Sequence, residues 1–142
     1  MGMLGGLRGL GRIGLLAGGA ARWGGSGTDG VGLCDCRGAH GGATAEWVLA
    51  VLLATYRNVP GFTRAQDQKH WDYRQTEELA GQRVLIVGAG DVGQQTARRL
   101  AAFDVTTALV GRKDSDTILS LLPMYDAVVI AVPLTPETER LV

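Results

Sequence analysis

From residue 82 onward the apolar and polar positions fall into two alternating rhythms. Gln82-Arg83-Val84-Leu85-Ile86-Val87 ends in four consecutive apolar residues, three of them β-branched. Such a run predicts a strand buried on both faces, as in a parallel sheet. Over 94–103 the apolar positions change to helical spacing, with Val92, Thr96, Leu100 and Phe103 on one side. That predicts a helix with one buried stripe. A second strand is predicted over Val105–Val110. Lys113–Thr117 is a polar break, and Ile118–Leu122 is a short helix that stops at Pro123. A third strand is predicted over Ala127–Val132, ended by Pro133-Leu-Thr-Pro136. Strand–helix–strand–helix–strand implies a parallel sheet with right-handed crossovers.

Upstream, Ala43–Tyr56 contains one charged residue, Glu46. A helix is predicted at about 43–57. It is apolar nearly all round, so it needs cover on most sides, from the chain's own sheet or from a second subunit. Thr44 or the glycines before it cap its start, and Pro60-Gly61 reads as its stop signal. Residues 62–78 are polar, carry Trp71 and Tyr73, and read as a short helix followed by an exposed loop. The most apolar run, Trp47–Ala54, is far short of a membrane span.

Composition changes this picture at the N-terminal end. Of 22 glycines among 142 residues, sixteen lie in 1–42 and six in the rest. Glycine every few residues costs a helix about 1 kcal/mol each. Residues 1–30 are therefore expected to be a poorly ordered segment, and a match to a signal or transit peptide is weak. Fourteen basic residues balance fourteen acidic ones. The chain then has no global field for nucleic acid or an anionic membrane, and neither is expected as a partner. Two cysteines, Cys34 and Cys36, suit a reducing cytoplasm better than a disulfide scaffold, and no further ligands complete a zinc site around them. No metal is expected.

The chemistry lies in Gly88-x-Gly90-x-x-Gly93, between a predicted strand and a predicted helix. Gly88 permits the tight turn, Gly90 lets backbone approach a pyrophosphate, and Gly93 allows close helix–strand packing. The helix N-terminus then offers unpaired N–H groups to phosphate. No Lys-Ser/Thr pair follows, which argues against a P-loop. At the end of the second strand an NAD-type site places Asp or Glu for the ribose 2′-hydroxyl. Here the strand ends Val110-Gly111-Arg112-Lys113. Two cations suit a 2′-phosphate, so NADP is favoured over NAD.

The run Leu33–His40, then Ala43-Thr-Ala-Glu46 opening an apolar helix, resembles the D-isomer-specific 2-hydroxyacid dehydrogenases. So do Trp71, Glu78-Leu-Ala-Gly81, the glycine loop, the Arg112 strand end, and Asp126–Thr138 with its Pro-Leu-Thr-Pro-Glu-Thr. The resemblance covers about 31–142. It implies a partial NAD(P)-binding Rossmann domain over 31–142. The fold class expected is α/β, a Rossmann-like parallel sheet with flanking helices, incomplete and preceded by the glycine-rich segment. It implies hydride transfer between a nicotinamide and a 2-oxo or 2-hydroxy acid. Asp91 and Val92 would contact the pyrophosphate and its ribose. Arg112, with Lys113 beside it, would meet the adenosine ribose or its phosphate. Val132 and Pro133 would line the nicotinamide side. The helix at 43–57 would form a homodimer interface.

In that family the substrate-binding arginine, the acid and the catalytic histidine follow the Pro-Leu-Thr loop. This sequence ends at Val142. The expectation is a truncated member, inactive alone, that binds cofactor. The alternative is a non-enzymatic remnant or dimerisation module. His40 and His70 do not align with the catalytic histidine, and no catalytic residue is assigned. A flavin or S-adenosylmethionine Rossmann protein shares the glycine loop but leaves the Pro-Leu-Thr-Pro-Glu-Thr end unexplained.

Overall fold

The computed structural model describes residues 12–15, 32–35 and 40–139. The chain divides into two compact units, Met1–His40 and Gly41–Val142. In the first, β1 (Arg12–Leu15) pairs in parallel with β2 (Gly32–Asp35), in the register Arg12↔Gly32 to Leu15↔Asp35. The expectation of poor order over the rest of 1–30 lies outside the described residues, as does Cys36.

In the second unit α1 (Gly41–Tyr56) and α2 (Val59–Asp67) precede β3 (Arg83–Val87), α3 (Asp91–Ala101) and β4 (Thr106–Val110). A 3₁₀ turn (Arg112–Thr117), α4 (Ile118–Leu121) and β5 (Ala127–Ile130) complete it. The three strands are parallel, in the order β4-β3-β5. The strand made first is thus the central one. Its register pairs Val84 with Thr107 on one side and with Ala127 on the other.

Period-two alternation along β3 sends its side chains to two cores. Val84 and Ile86 join Leu49 of α1, Leu100 of α3, Leu79, Val105 and Val129 on one face. Leu85 and Val87 join Val110 and Ile118 on the other. All four β3 residues are buried, each burial contributing about 1.5–3 kcal/mol. Helices therefore cover both faces, α1 and α3 on one and α4 on the other. The chain winds from β3 to β4 over one face and from β4 to β5 over the other. The direction of winding reverses between β3 and β5, which is the topological switch point of a doubly wound sheet.

The first helix uses its own sheet for cover on only one side. Ala45 and Leu49 are buried, with Leu52, Leu53 and Tyr56 packed against the same core. The opposite side leaves Trp47 67% and Val51 42% exposed. Arg99 of α3 meets Glu46 at 3.4 Å across the α1–α3 contact.

Three expectations change. Pro60 does not merely stop α1, which already ends at Tyr56. It sits in the first turn of α2, where a missing N–H costs nothing, and Asn58 ahead of it takes a left-handed conformation (φ 49°). Phe103 falls past the end of α3 and is half exposed, because the helix closes at Ala101. The polar stretch before Ile118 is no open break. It winds into a 3₁₀ turn in which the Thr117 hydroxyl donates to the Asp114 carbonyl at 2.7 Å.

At the opposite end of the sheet from the glycine loop, Asp126 ties β5 to β3. Its carboxylate accepts from the Arg83 backbone N–H at 2.7 Å and from the Arg83 guanidinium at 3.4 Å. The Asp126 N–H donates back to the Arg83 carbonyl at 2.8 Å. The Arg83 backbone N–H first, then its side chain, hold the Asp126 carboxyl below the usual carboxylate range.

Candidate dinucleotide site

Three stretches meet at the C-terminal ends of the strands. They are residues 87–90 after β3, 110–112 with Ser115 and Ile118 after β4, and 131–133 with Glu137 and Thr138 after β5. Together they line a cleft of about 270 Å³. An open α/β sheet binds ligands at this place, beyond the strand ends at the switch point.

Gly88 forms the floor. Its N–H donates to the Val110 carbonyl at 2.8 Å, and the Ala131 N–H donates to the Val87 carbonyl at 2.7 Å, so the three strand ends are laced together there. Its φ of +120° is a conformation only glycine adopts readily, and a Cβ would stand 2.5 Å from the Ala131 carbonyl oxygen. At Gly93 a Cβ would collide with the Gly88 carbonyl oxygen, which is why the first turn of α3 can lie against the loop. Gly90 differs from both. A Cβ there would meet nothing within 4 Å, so the space over Gly90 is open. It caps α3 without a side-chain hydrogen bond, which leaves first-turn N–H groups available to an anion. The Gln94 side-chain amide donates to the Ala89 carbonyl at 3.1 Å and holds the loop down on the helix.

Of the residues expected from the sequence, the fold brings Gly88, Gly90, Arg112, Val132 and Pro133 into the cleft. Asp91, Val92, Gly93 and Lys113 are not among its lining residues. Asp91 turns instead toward the start of α1, where a Cβ on Gly41 would run into its carboxylate. His70 lines a separate cavity with Phe62 and Trp71, away from the glycine loop. Among the described residues no group of three His, Cys, Asp or Glu could hold a metal ion, and no helix is long and apolar enough to cross a membrane.

Sequence reasoning missed Ser115, Glu137 and Thr138. The signal was present in Thr135-Pro-Glu-Thr138, whose threonines build a tight turn. The Thr138 hydroxyl donates to the Pro133 carbonyl at 2.6 Å and accepts from the Thr135 N–H at 2.8 Å. The Glu139 N–H closes the turn on the Thr135 carbonyl at 2.9 Å. That geometry folds Glu137 back over the cleft. The Thr135 hydroxyl, its own backbone N–H and then the Arg112 guanidinium hold the Glu137 carboxyl below its ordinary range.

The family described as D-isomer specific 2-hydroxyacid dehydrogenase, NAD binding domain, matches residues 49–142. The chain belongs to that family. As a family member it is 31% identical over 118 residues to a glyoxylate reductase of Thermofilum pendens, covering 70% of this chain and 35% of that one. It is 28% identical over 114 residues to a D-3-phosphoglycerate dehydrogenase of Methanocaldococcus jannaschii, covering 70% of this chain and 22% of that one. Among solved structures, the NAD-dependent formate dehydrogenase of Staphylococcus aureus, in complex with NAD, superposes with a TM-score of 0.69 at 29% identity. That match covers 78% of this chain and 37% of that one. The NADPH-dependent glyoxylate/hydroxypyruvate reductase of Sinorhizobium meliloti gives 0.59 at 28% identity, covering 67% and 41%. This dehydrogenase-family chain thus spans between about a fifth and two fifths of the length of the curated relatives it matches. Its NAD-binding domain carries a Rossmann-like parallel sheet with flanking helices, as the sequence pattern implied.

Proposed function

We propose that the cleft holds a nicotinamide dinucleotide and that the chain is the cofactor-binding portion of an oxidoreductase acting on D-2-hydroxy acids and 2-oxo acids. The carrying observation is the open space over Gly90 at the uncapped start of α3, between the laced ends of β3, β4 and β5. The residues fit the group. The pyrophosphate lies over Gly88 and Gly90, with Asp91 and Val92 contributing through the first-turn backbone of α3 and Gly93 keeping that turn close. Arg112, with Lys113 next to it, faces the adenosine ribose, and Val132 and Pro133 form the apolar wall on the nicotinamide side. When bound, the nicotinamide supplies the hydride that this family's chemistry exchanges with substrate.

NADP is favoured over NAD, because Arg112 is the side chain that β4 delivers to the cleft and a guanidinium matches a phosphate in two-point geometry. Relatives include both an NADPH-dependent reductase and an NAD complex. The outer side of α1, with Trp47 and Val51 exposed, pairs with the same face of a second copy. The two cysteines support a reducing cytoplasm as the compartment in this reading.

Titration of the purified chain with NADPH and NADH, read by nicotinamide fluorescence, tests this reading. Saturable binding of both is expected, tighter for NADPH. The Arg112→Asp variant should reverse the preference toward NADH. Absence of saturable binding sinks the cofactor reading in favour of a remnant that only pairs. An unchanged ratio of affinities in Arg112→Asp removes Arg112 from recognition of the 2′-phosphate.

A further inference from the structure

The cleft carries a carboxylate from an unexpected direction. No acid stands at the tip of β4, where an NAD-type site would place one, yet Glu137 and Arg112 line the same cleft of about 270 Å³. Arg112 comes from the end of β4 and Glu137 from the turn after β5. We propose that Glu137 is a specificity-determining residue that opposes Arg112 and weakens NADPH binding relative to NADH. The inference rests on the reading of this cleft as a dinucleotide site.

Two observations support it. The turn is fixed by the Thr138 hydroxyl on the Pro133 carbonyl and the Thr135 N–H on that hydroxyl, so Glu137 sits at a set position on the rim. Its carboxylate is ionised at neutral pH, since the Thr135 hydroxyl and its own backbone N–H favour the charged form and Arg112 adds to them. The charge therefore faces whatever Arg112 attracts. A 2′-phosphate carries about two negative charges. It is drawn to the guanidinium and repelled by the carboxylate. A 2′-hydroxyl is neutral, feels neither strongly, and can donate a hydrogen bond to an acid. The same carboxylate thus penalises one cofactor and tolerates the other.

The test compares the full chain with Glu137→Gln, titrated with NADPH and with NADH at low ionic strength. Glu137 is exposed and its replacement is nearly isosteric, so folding is not at issue. The variant should bind NADPH about two- to fivefold more tightly, as expected for a solvent-exposed charge interaction, with NADH changed less. The gain should shrink as salt is raised. Glu139→Gln, in the same turn but outside the cleft lining, should leave the ratio of affinities as it is. A ratio unmoved by Glu137→Gln overturns the proposal. So does an equal shift in Glu139→Gln, which would assign the effect to net charge. Failure of the unaltered chain to bind either dinucleotide overturns the site reading and this inference together.

Discussion

At the scale of single residues, the three glycines of one motif do three different jobs, and substitution separates them. A methyl at Gly93 collides with the Gly88 carbonyl, and a side chain at Gly88 meets both a strained φ and the Ala131 carbonyl. Gly93→Ala is expected to destabilise the fold by about 2–4 kcal/mol, the combined cost of overpacking and backbone displacement. Gly90→Ala should cost under about 1 kcal/mol, the usual loss at a helix cap, because its methyl projects into open space. The dinucleotide reading we propose puts the pyrophosphate in that space, so Gly90→Ala should lose dinucleotide binding while remaining folded. Thermal melts and cofactor titration on the same two proteins check this. A Gly90→Ala variant that binds normally would remove the pyrophosphate from that spot.

At the scale of elements, Asp126 holds two strands together through backbone and side chain at once. Its folded pKa is depressed below the unfolded value, about 3.9. The stabilisation it gives is therefore full above that value and is lost as pH falls through the lower, folded pKa. Asp126→Asn should melt below the unaltered chain near pH 7, and the gap should narrow progressively as pH falls below about 3.9. A gap that keeps the same size through that fall would mean the carboxylate charge contributes nothing. Much at this scale was legible in the sequence. Val84–Val87 is continuously apolar because both faces of β3 are covered, and that reads directly as a central parallel strand. Two of the three glycines were readable for the same reason, since Gly88 and Gly93 each answer a local steric demand. Pro60 was misread because a proline ends one helix and opens the next with equal local logic. The 3₁₀ turn at Arg112–Thr117 was invisible because it buries no residue and so leaves no apolar period. Glu137 could not be placed from its neighbours. Its role depends on Arg112, 25 positions earlier in the sequence and brought opposite only by the sheet.

At the scale of the whole molecule, the chain leaves one face of α1 uncovered while burying the other. Trp47 is the largest side chain on that uncovered face. Sedimentation velocity should find a dimer for the unaltered chain and a monomer for Trp47→Glu, with the circular dichroism spectrum unchanged. A monomer before substitution would rule out pairing through this face.

The order in which the sheet is made has its own consequence. Of the three strands the central one leaves the ribosome first, and its last partner, β5, begins at Ala127, 44 residues after Arg83. At about 5–20 residues per second that interval lasts roughly 2–9 s. During it Val84–Val87, fully buried in the finished domain, has at least one edge unpaired, and both until β4 is made. The nascent chain therefore carries an aggregation hazard in the very strand that later anchors both cores, and a chaperone that shields β3 until β5 arrives would act on yield without altering the folded product.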